Sequence, residues 1–149
     1  MSEKPLNPPP VRFFVTLYRL GLGPLVGRLI LLLTTTGRKS GLARVTALQY
    51  EEVDGAIYLG SSRGMHADWV RNILADPRVE VRVKARCFSG LAEVVTHPVR
   101  VADFLKLRLK RHPRMVGMIM KADGLPAKPS RHELENYARK LALVIVKPM

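Results

Sequence analysis

From Arg78 to Lys84 apolar and polar residues alternate without a break. Val79, Val81 and Val83 face one way; Arg78, Glu80, Arg82 and Lys84 face the other. A period of two marks a strand with one buried face, and Phe88 to Thr96 is its expected hairpin partner. Upstream, Arg28 to Thr36 is a leucine run ending in three threonines, which reads as a buried strand. Arg44 to Val53 reads as one continuous strand. Asp54-Gly55 signals a hairpin turn, and Ala56 to Ser61 is the returning strand. A last strand is expected over Leu141 to Val146, apolar at every position.

Between these runs the period lengthens to that of a helix. In Val11 to Leu20, Arg12, Thr16 and Arg19 recur at i, i+4 and i+7, while Phe13, Phe14, Leu17, Tyr18 and Leu20 occupy the remaining surface. Gly21-Leu22-Gly23-Pro24 then breaks the pattern. Ala67 to Asp76 is a helix stopped by Pro77. Pro98 to Arg111 carries Val101, Phe104, Leu105 and Leu109 on one face. Pro113 to Lys121 and Arg131 to Arg139 are shorter helical stretches separated by a loop, Lys121 to Pro129. About six strands in adjacent hairpins, with helices between or after them, favour a closed or partly closed antiparallel barrel over a doubly wound parallel sheet. The class is α+β, mainly β. The 149 residues fit one domain, 1–149, with a flexible polar, proline-rich start over 1–10.

Composition adds one strong feature. The formal charge is +13, a field that concentrates anions: nucleic acid, acidic lipid head groups or a multiply charged small molecule. The single cysteine, Cys87, excludes an internal disulfide and fits a reducing compartment; it reads as an inert strand residue. No signal-peptide pattern is visible at Met1 to Pro10. The longest apolar stretch, Leu20 to Leu33, is interrupted by Gly21, Gly23, Pro24, Gly27 and Arg28, so a spanning helix is not expected. The expected location is cytoplasmic, with peripheral membrane association through the first helix as an open reading.

Two segments stand out chemically. In Gly37-Arg38-Lys39-Ser40-Gly41, with Arg44 three residues on, two glycines bracket a loop bearing three cations, a hydroxyl and free amides. That is equipment for gripping phosphate or carboxylate. The order of Arg38 and Lys39 departs from a Walker A loop, and no Gly-x-Gly-x-x-Gly run follows a strand. By composition alone the loop reads either as an anion grip or as a solvated basic connection. In the second segment, Ser61-Ser62-Arg63-Gly64-Met65-His66 closes a strand and leads into a helix where Trp69 and Asn72, at i and i+3, share a face. Here the bland reading is a core tryptophan and a local hydrogen-bonding asparagine. His66, His97, His112 and His132 have no metal-type spacing with Cys87. Glu51, Glu52 and Asp54 read as solvated carboxylates around a turn, and Lys106 to Arg114 as a solvated helix face. The absence of interleaved aromatics there disfavours nucleic acid as a partner.

Taken together, Leu32 to Gly41 with Arg44, then Asp68-Trp69-Val70-Arg71-Asn72-Ile73 and Ala75 to Val81, resemble in order and spacing the two signatures of the deazaflavin-dependent nitroreductase family. The resemblance implies a split β-barrel related to FMN-binding barrels, and reduced coenzyme F420 as hydride donor. It places the cofactor's phosphate and nearby anionic tail on Arg38, Lys39, Ser40, Gly41 and Arg44. It lays the deazaflavin ring along Thr46, Ala47 and Leu48, with Ser61, Ser62, Arg63, Gly64 and Trp69 framing it from the other side. Many members have a longer loop before the tryptophan than Arg63-Gly64-Met65-His66-Ala67, which implies a more open pocket here.

The expected reaction is hydride transfer to a small electrophile such as a quinone or nitroaromatic. The cofactor carries the chemistry, and the protein supplies position and electrostatics. Ser61, Ser62, His66 and Tyr18 are the candidate proton donors, with no basis for choosing among them. Phe13, Phe14 and Tyr18 would line the substrate side if the first helix is a lid. Alternatives are an FMN-binding redox barrel and a basic nucleic-acid-binding module. Monomer and homodimer are both open.

Overall fold

The computed structural model describes residues 11–22 and 30–149. The 1–10 segment expected to be flexible, the Gly23-Pro24 break and the Arg28-Leu29 start of the first expected strand lie outside the described residues. In chain order the elements are α1 (Val11–Arg19), β1 (Ile30–Thr36), β2 (Ala43–Gln49), β3 (Glu51–Val53) and β4 (Ala56–Ser61). A 3-10 turn (Gly64–His66) leads to α2 (Asp68–Ala75), β5 (Arg78–Val83), β6 (Arg86–Val95), α3 (Pro98–Arg111), α4 (Pro113–Ala122), α5 (Arg131–Ala138) and β7 (Ala142–Pro148).

All seven strands join one sheet in the order β2-β1-β5-β6-β7-β4-β3, every pairing antiparallel. The two edge strands, β2 and β3, are consecutive in the chain and separated only by Tyr50. One residue thus joins opposite edges of the sheet, so the sheet must curl until they meet: a split barrel of the α+β, mainly β class.

This corrects the reading of Arg44 to Val53 as one strand. Its first part pairs with β1 (Leu33 opposite Thr46) and its last with β4 (Glu51 opposite Tyr58). Continuous β-type residues cannot reveal a change of partner, so six expected strands become seven. The Asp54-Gly55 turn stands as read: both residues have positive φ, 50° and 81°, as a two-residue type I′ hairpin requires.

The inner face of the curl holds Leu31, Leu33, Val79, Val81, Val83, Val144 and Val146, and α2 plugs it with Trp69, Val70 and Ile73. On the opposite face, Leu143 and Ile145 of β7 meet Val101, Phe104 and Leu105 of α3, Val116 and Met120 of α4, and Leu134 of α5. Because β7 is covered on both faces, it is apolar at successive positions where β5 alternates. Helix α1 packs outside the curl. The Tyr18 hydroxyl donates to the Ile30 carbonyl (2.8 Å), and the Arg82 guanidinium lies 5.1 Å from the Tyr18 ring centre. Arg82 alternates with the inward Val81 and Val83, so Tyr18 lies on the face of the sheet opposite α2.

Glu51 overturns the solvated-turn reading. It is only 4% exposed and faces Arg108 Nε (3.4 Å), Arg111 Nη1 (3.3 Å) and His112 Nε2 (3.2 Å) at the end of α3. Part of the basic stretch Lys106 to Arg114 is therefore engaged in holding β3, not solvated.

Candidate functional site

Strand β1 ends at Thr36, and the chain doubles back through a tight loop into β2. The Gly37 amide donates to the Leu42 carbonyl (2.7 Å) and the Gly41 amide to the Gly37 carbonyl (2.8 Å). Gly41 sits at φ 71°, and a Cβ on Gly37 would meet Ser40 Oγ at 2.7 Å, so this loop needs both glycines. Ser40 Oγ accepts from the Leu42 amide (3.2 Å) and from Arg44 Nη2 (3.4 Å).

The loop is tied to α2 by Asn72, a polar residue 4% exposed on the helix face that carries Trp69 and Ile73 into the core. Asn72 Nδ2 donates to Thr35 Oγ1 (3.1 Å). Asn72 Oδ1 accepts from the Arg38 amide (3.2 Å) and from Arg38 Nη1 (2.9 Å). Arg38 Nη2 reaches Asp68 Oδ1 at 3.0 Å. Arg38 is thus a bracket between loop and helix, while Lys39 and Arg44 have no carboxylate within ion-pair distance among the described residues.

Gly37, Arg38, Lys39, Ser40, Arg44, Thr46, Asp68, Trp69 and Asn72 line a cavity of about 400 Å³. The lining combines the indole of Trp69 and the hydroxyls of Ser40 and Thr46 with three cations, and its one carboxylate, Asp68, is already paired with Arg38. A phosphate-bearing, flat aromatic molecule fits that donor set: Lys39, Arg44 and Ser40 for the phosphate, Thr46 and Trp69 beside the ring.

Other expected site residues are placed elsewhere. Gly41 closes the loop and borders a separate depression beside Thr34, Thr36 and Arg78. Ala47 alternates to the outer face, and Leu48 packs against the inner core. Ser61, buried, donates to the Gly64 carbonyl (2.8 Å) and with Ser62 lines an apolar cavity of about 100 Å³ against α3 and α4. Arg63, Gly64 and His66 line a third cavity. Tyr18 is held on the opposite face of the sheet by its bond to Ile30. Asp68 and Asn72 lie inside the second signature but outside the expected set of ligand-holding residues, and the structure brings both to the loop cavity. The available signal was an asparagine sharing the apolar face of a short helix, a position where a buried amide needs partners.

Two outcomes follow from this bracket. Asn72→Ala leaves Thr35 Oγ1 and the Arg38 amide without their partner. The expected loss is about 2 kcal/mol of unfolding free energy, read from urea melts; a loss within error of zero would show that water replaces the amide. Asp68 is exposed, and the Arg38 hydrogen bond and charge hold its carboxyl below the ordinary 3.8, with Arg63 and Arg71 adding to the pull. A lowered folded-state pKa means its hold on Arg38 is complete above 3.8 and is lost as pH falls through the lowered value. Amide shifts of residues 37–41 are expected to titrate below 3.8; a midpoint at or above 3.8 would contradict the bracket.

Fold and site together define a split-barrel protein with a glycine-bracketed cationic loop at the rim of its curled sheet. A family model described as F420H2-dependent quinone reductase matches residues 11–125. The chain belongs to that family of oxidoreductases. Among solved structures it is similar to an F420H2-dependent reductase at 25% identity, covering 80% of this chain and 95% of that one with a TM-score of 0.55. An F420 reductase shares the fold at 22% identity, 81% and 86% coverage and a TM-score of 0.52. A domain-swapped dimer shares it at 23% identity, 92% and 96% coverage and a TM-score of 0.56. No helix among the described residues is long and apolar enough to cross a membrane.

Proposed function

We propose that this chain binds reduced coenzyme F420 in the loop cavity and serves as a reductase of a small electrophile, a quinone or nitroaromatic. The observation that carries this reading is the cavity of about 400 Å³ that Lys39 and Arg44, without carboxylate partners among the described residues, line together with Trp69 and Thr46. When bound, the coenzyme supplies the hydride.

The chain's own part is positional. Lys39, Arg44 and the Ser40 hydroxyl hold the anionic end of the molecule. Arg38, tied to Asn72 and Asp68, holds the loop itself at a set distance from α2. Trp69, 9% exposed, contributes a flat apolar surface to the cavity lining that would shield a bound aromatic ring from water on that side. Among the expected proton donors, Ser61 and Tyr18 already donate to the Gly64 and Ile30 carbonyls. Ser62 and His66 line cavities other than the loop cavity, which leaves solvent as the proton source in this reading.

Absorbance and fluorescence titration with F420 and with FMN, followed by oxidation of F420H2 in the presence of quinones and nitroaromatics, tests the reading. Saturable F420 binding with turnover is expected. Binding of FMN alone would move the protein to flavin chemistry, and binding of neither would remove the redox reading.

A further inference from the structure

The antiparallel registers bring the ends of β1, β4 and β6 and the starts of β5 and β7 to one rim of the sheet. The loop cavity occupies one part of that rim. Another part is a cavity of about 490 Å³ that includes Arg63, His66, Thr96, Arg139 and Lys140 in its lining, with no acidic residue. Among the described residues, none of its four basic side chains forms an ion pair. Three permanent cations around one concavity repel one another, a cost that an anion in their midst would relieve, and the His66 imidazole adds a hydrogen-bonding group to the same lining.

The backbone holds these groups together. Gly64 has φ 58°, and a Cβ there would lie 2.8 Å from the Lys140 carbonyl oxygen, so the loop carrying Arg63 and His66 lies directly against the turn carrying Arg139 and Lys140. The buried Ser61 hydroxyl pins the same loop by its 2.8 Å bond to the Gly64 carbonyl. Arg139 and Lys140, half of this cluster, lie outside the 11–125 segment that the family model matches.

We infer that this cavity is a second anion site, distinct from the loop cavity, for a ligand bearing two or more closely spaced phosphate or carboxylate groups. The groups arrive either on a free small molecule or on the anionic tail of a cofactor seated in the loop cavity. The cofactor-tail source rests on the proposed F420 binding, whereas the anion site itself does not.

Inorganic pyrophosphate is the probe, followed by amide chemical shifts of the whole chain. Saturable shifts are expected at residues 63–66 and 139–141. In Arg139→Gln/Lys140→Gln, binding at those residues is expected to weaken by about tenfold or more, because two charge-assisted contacts are lost. Shifts at residues 37–41 should persist in that variant and be weakened instead by Lys39→Gln. Both variants change exposed side chains, and an unchanged thermal melt verifies the fold. No saturable shift at 63–66 and 139–141, or one that survives the double variant undiminished, overturns the site. A second arm distinguishes the sources. If the occupant is a cofactor tail, F420 carrying several glutamates displaces pyrophosphate from 63–66 while F420 carrying one does not. If it is a free anion, pyrophosphate binds equally with either form present.

Discussion

Glu51→Ala is expected to lower the unfolding free energy by about 3 kcal/mol, at the lower end for a buried carboxylate removed from its cations. Glu51 is 4% exposed and accepts from two arginines and a histidine. Its removal leaves Arg108, 16% exposed, beside an uncompensated hole, whereas Arg111 and His112, at 40% and 37%, can turn toward water. That partial escape keeps the expected loss from being larger. Position matters as much as charge: Glu51 is the first residue after the Tyr50 corner, so its ion pairs anchor the short edge strand β3 to the end of α3. Urea melts of Glu51→Ala, Arg108→Ala and the double variant give the coupling, expected at about 1.5 kcal/mol. A single-variant loss below about 0.5 kcal/mol would place the cluster with ordinary surface pairs.

Lys39→Glu is expected to weaken F420 binding by about a hundredfold, with no change in melting. Lys39 is exposed and makes no ion pair among the described residues, so its charge acts on the ligand and not on the fold. Reversal replaces an attraction with a repulsion of similar size. Arg44→Glu is expected to do the same while also losing the contact with Ser40 Oγ. Arg38→Glu separates the roles: it opposes Asp68 and removes a donor to Asn72, so both binding and the ordering of residues 37–41 are expected to suffer. F420 titration alongside amide exchange of the loop distinguishes the three. Equal affinity of Lys39→Glu and the unaltered chain would show that the loop is solvated surface.

The same residues show how much was legible in the chain. Alternation over Arg78 to Lys84 marks β5, and the Asp54-Gly55 turn and the proline-bounded helices also stand close to where the pattern puts them. The glycine-bracketed cationic loop and Trp69 line one cavity, as the family resemblance implies, while Trp69 also packs in the core as the pattern alone suggests. The serine-rich strand end does not join them: Ser61 and Ser62 face α3 and α4, and Arg63 with His66 faces the turn before β7. Residues close in sequence at the end of one strand diverge because successive positions leave a sheet rim in different directions. Arg38 reads as a third gripping cation, yet its guanidinium is turned inward to an asparagine and an aspartate 34 and 30 residues away.

The sequence by itself determined the local elements, the cationic loop and the family, because periodicity, turn chemistry and motif spacing depend on near neighbours along the chain. Only the tertiary structure decided that Arg44 to Val53 is two strands on opposite edges of a curled sheet, that Glu51 is buried among cations, and that Arg38 is tied to Asn72 and Asp68 while Lys39 and Arg44 are left without carboxylate partners among the described residues. Each of those outcomes depends on which distant group arrives at hydrogen-bond or ion-pair distance, and a one-dimensional pattern carries no record of that encounter.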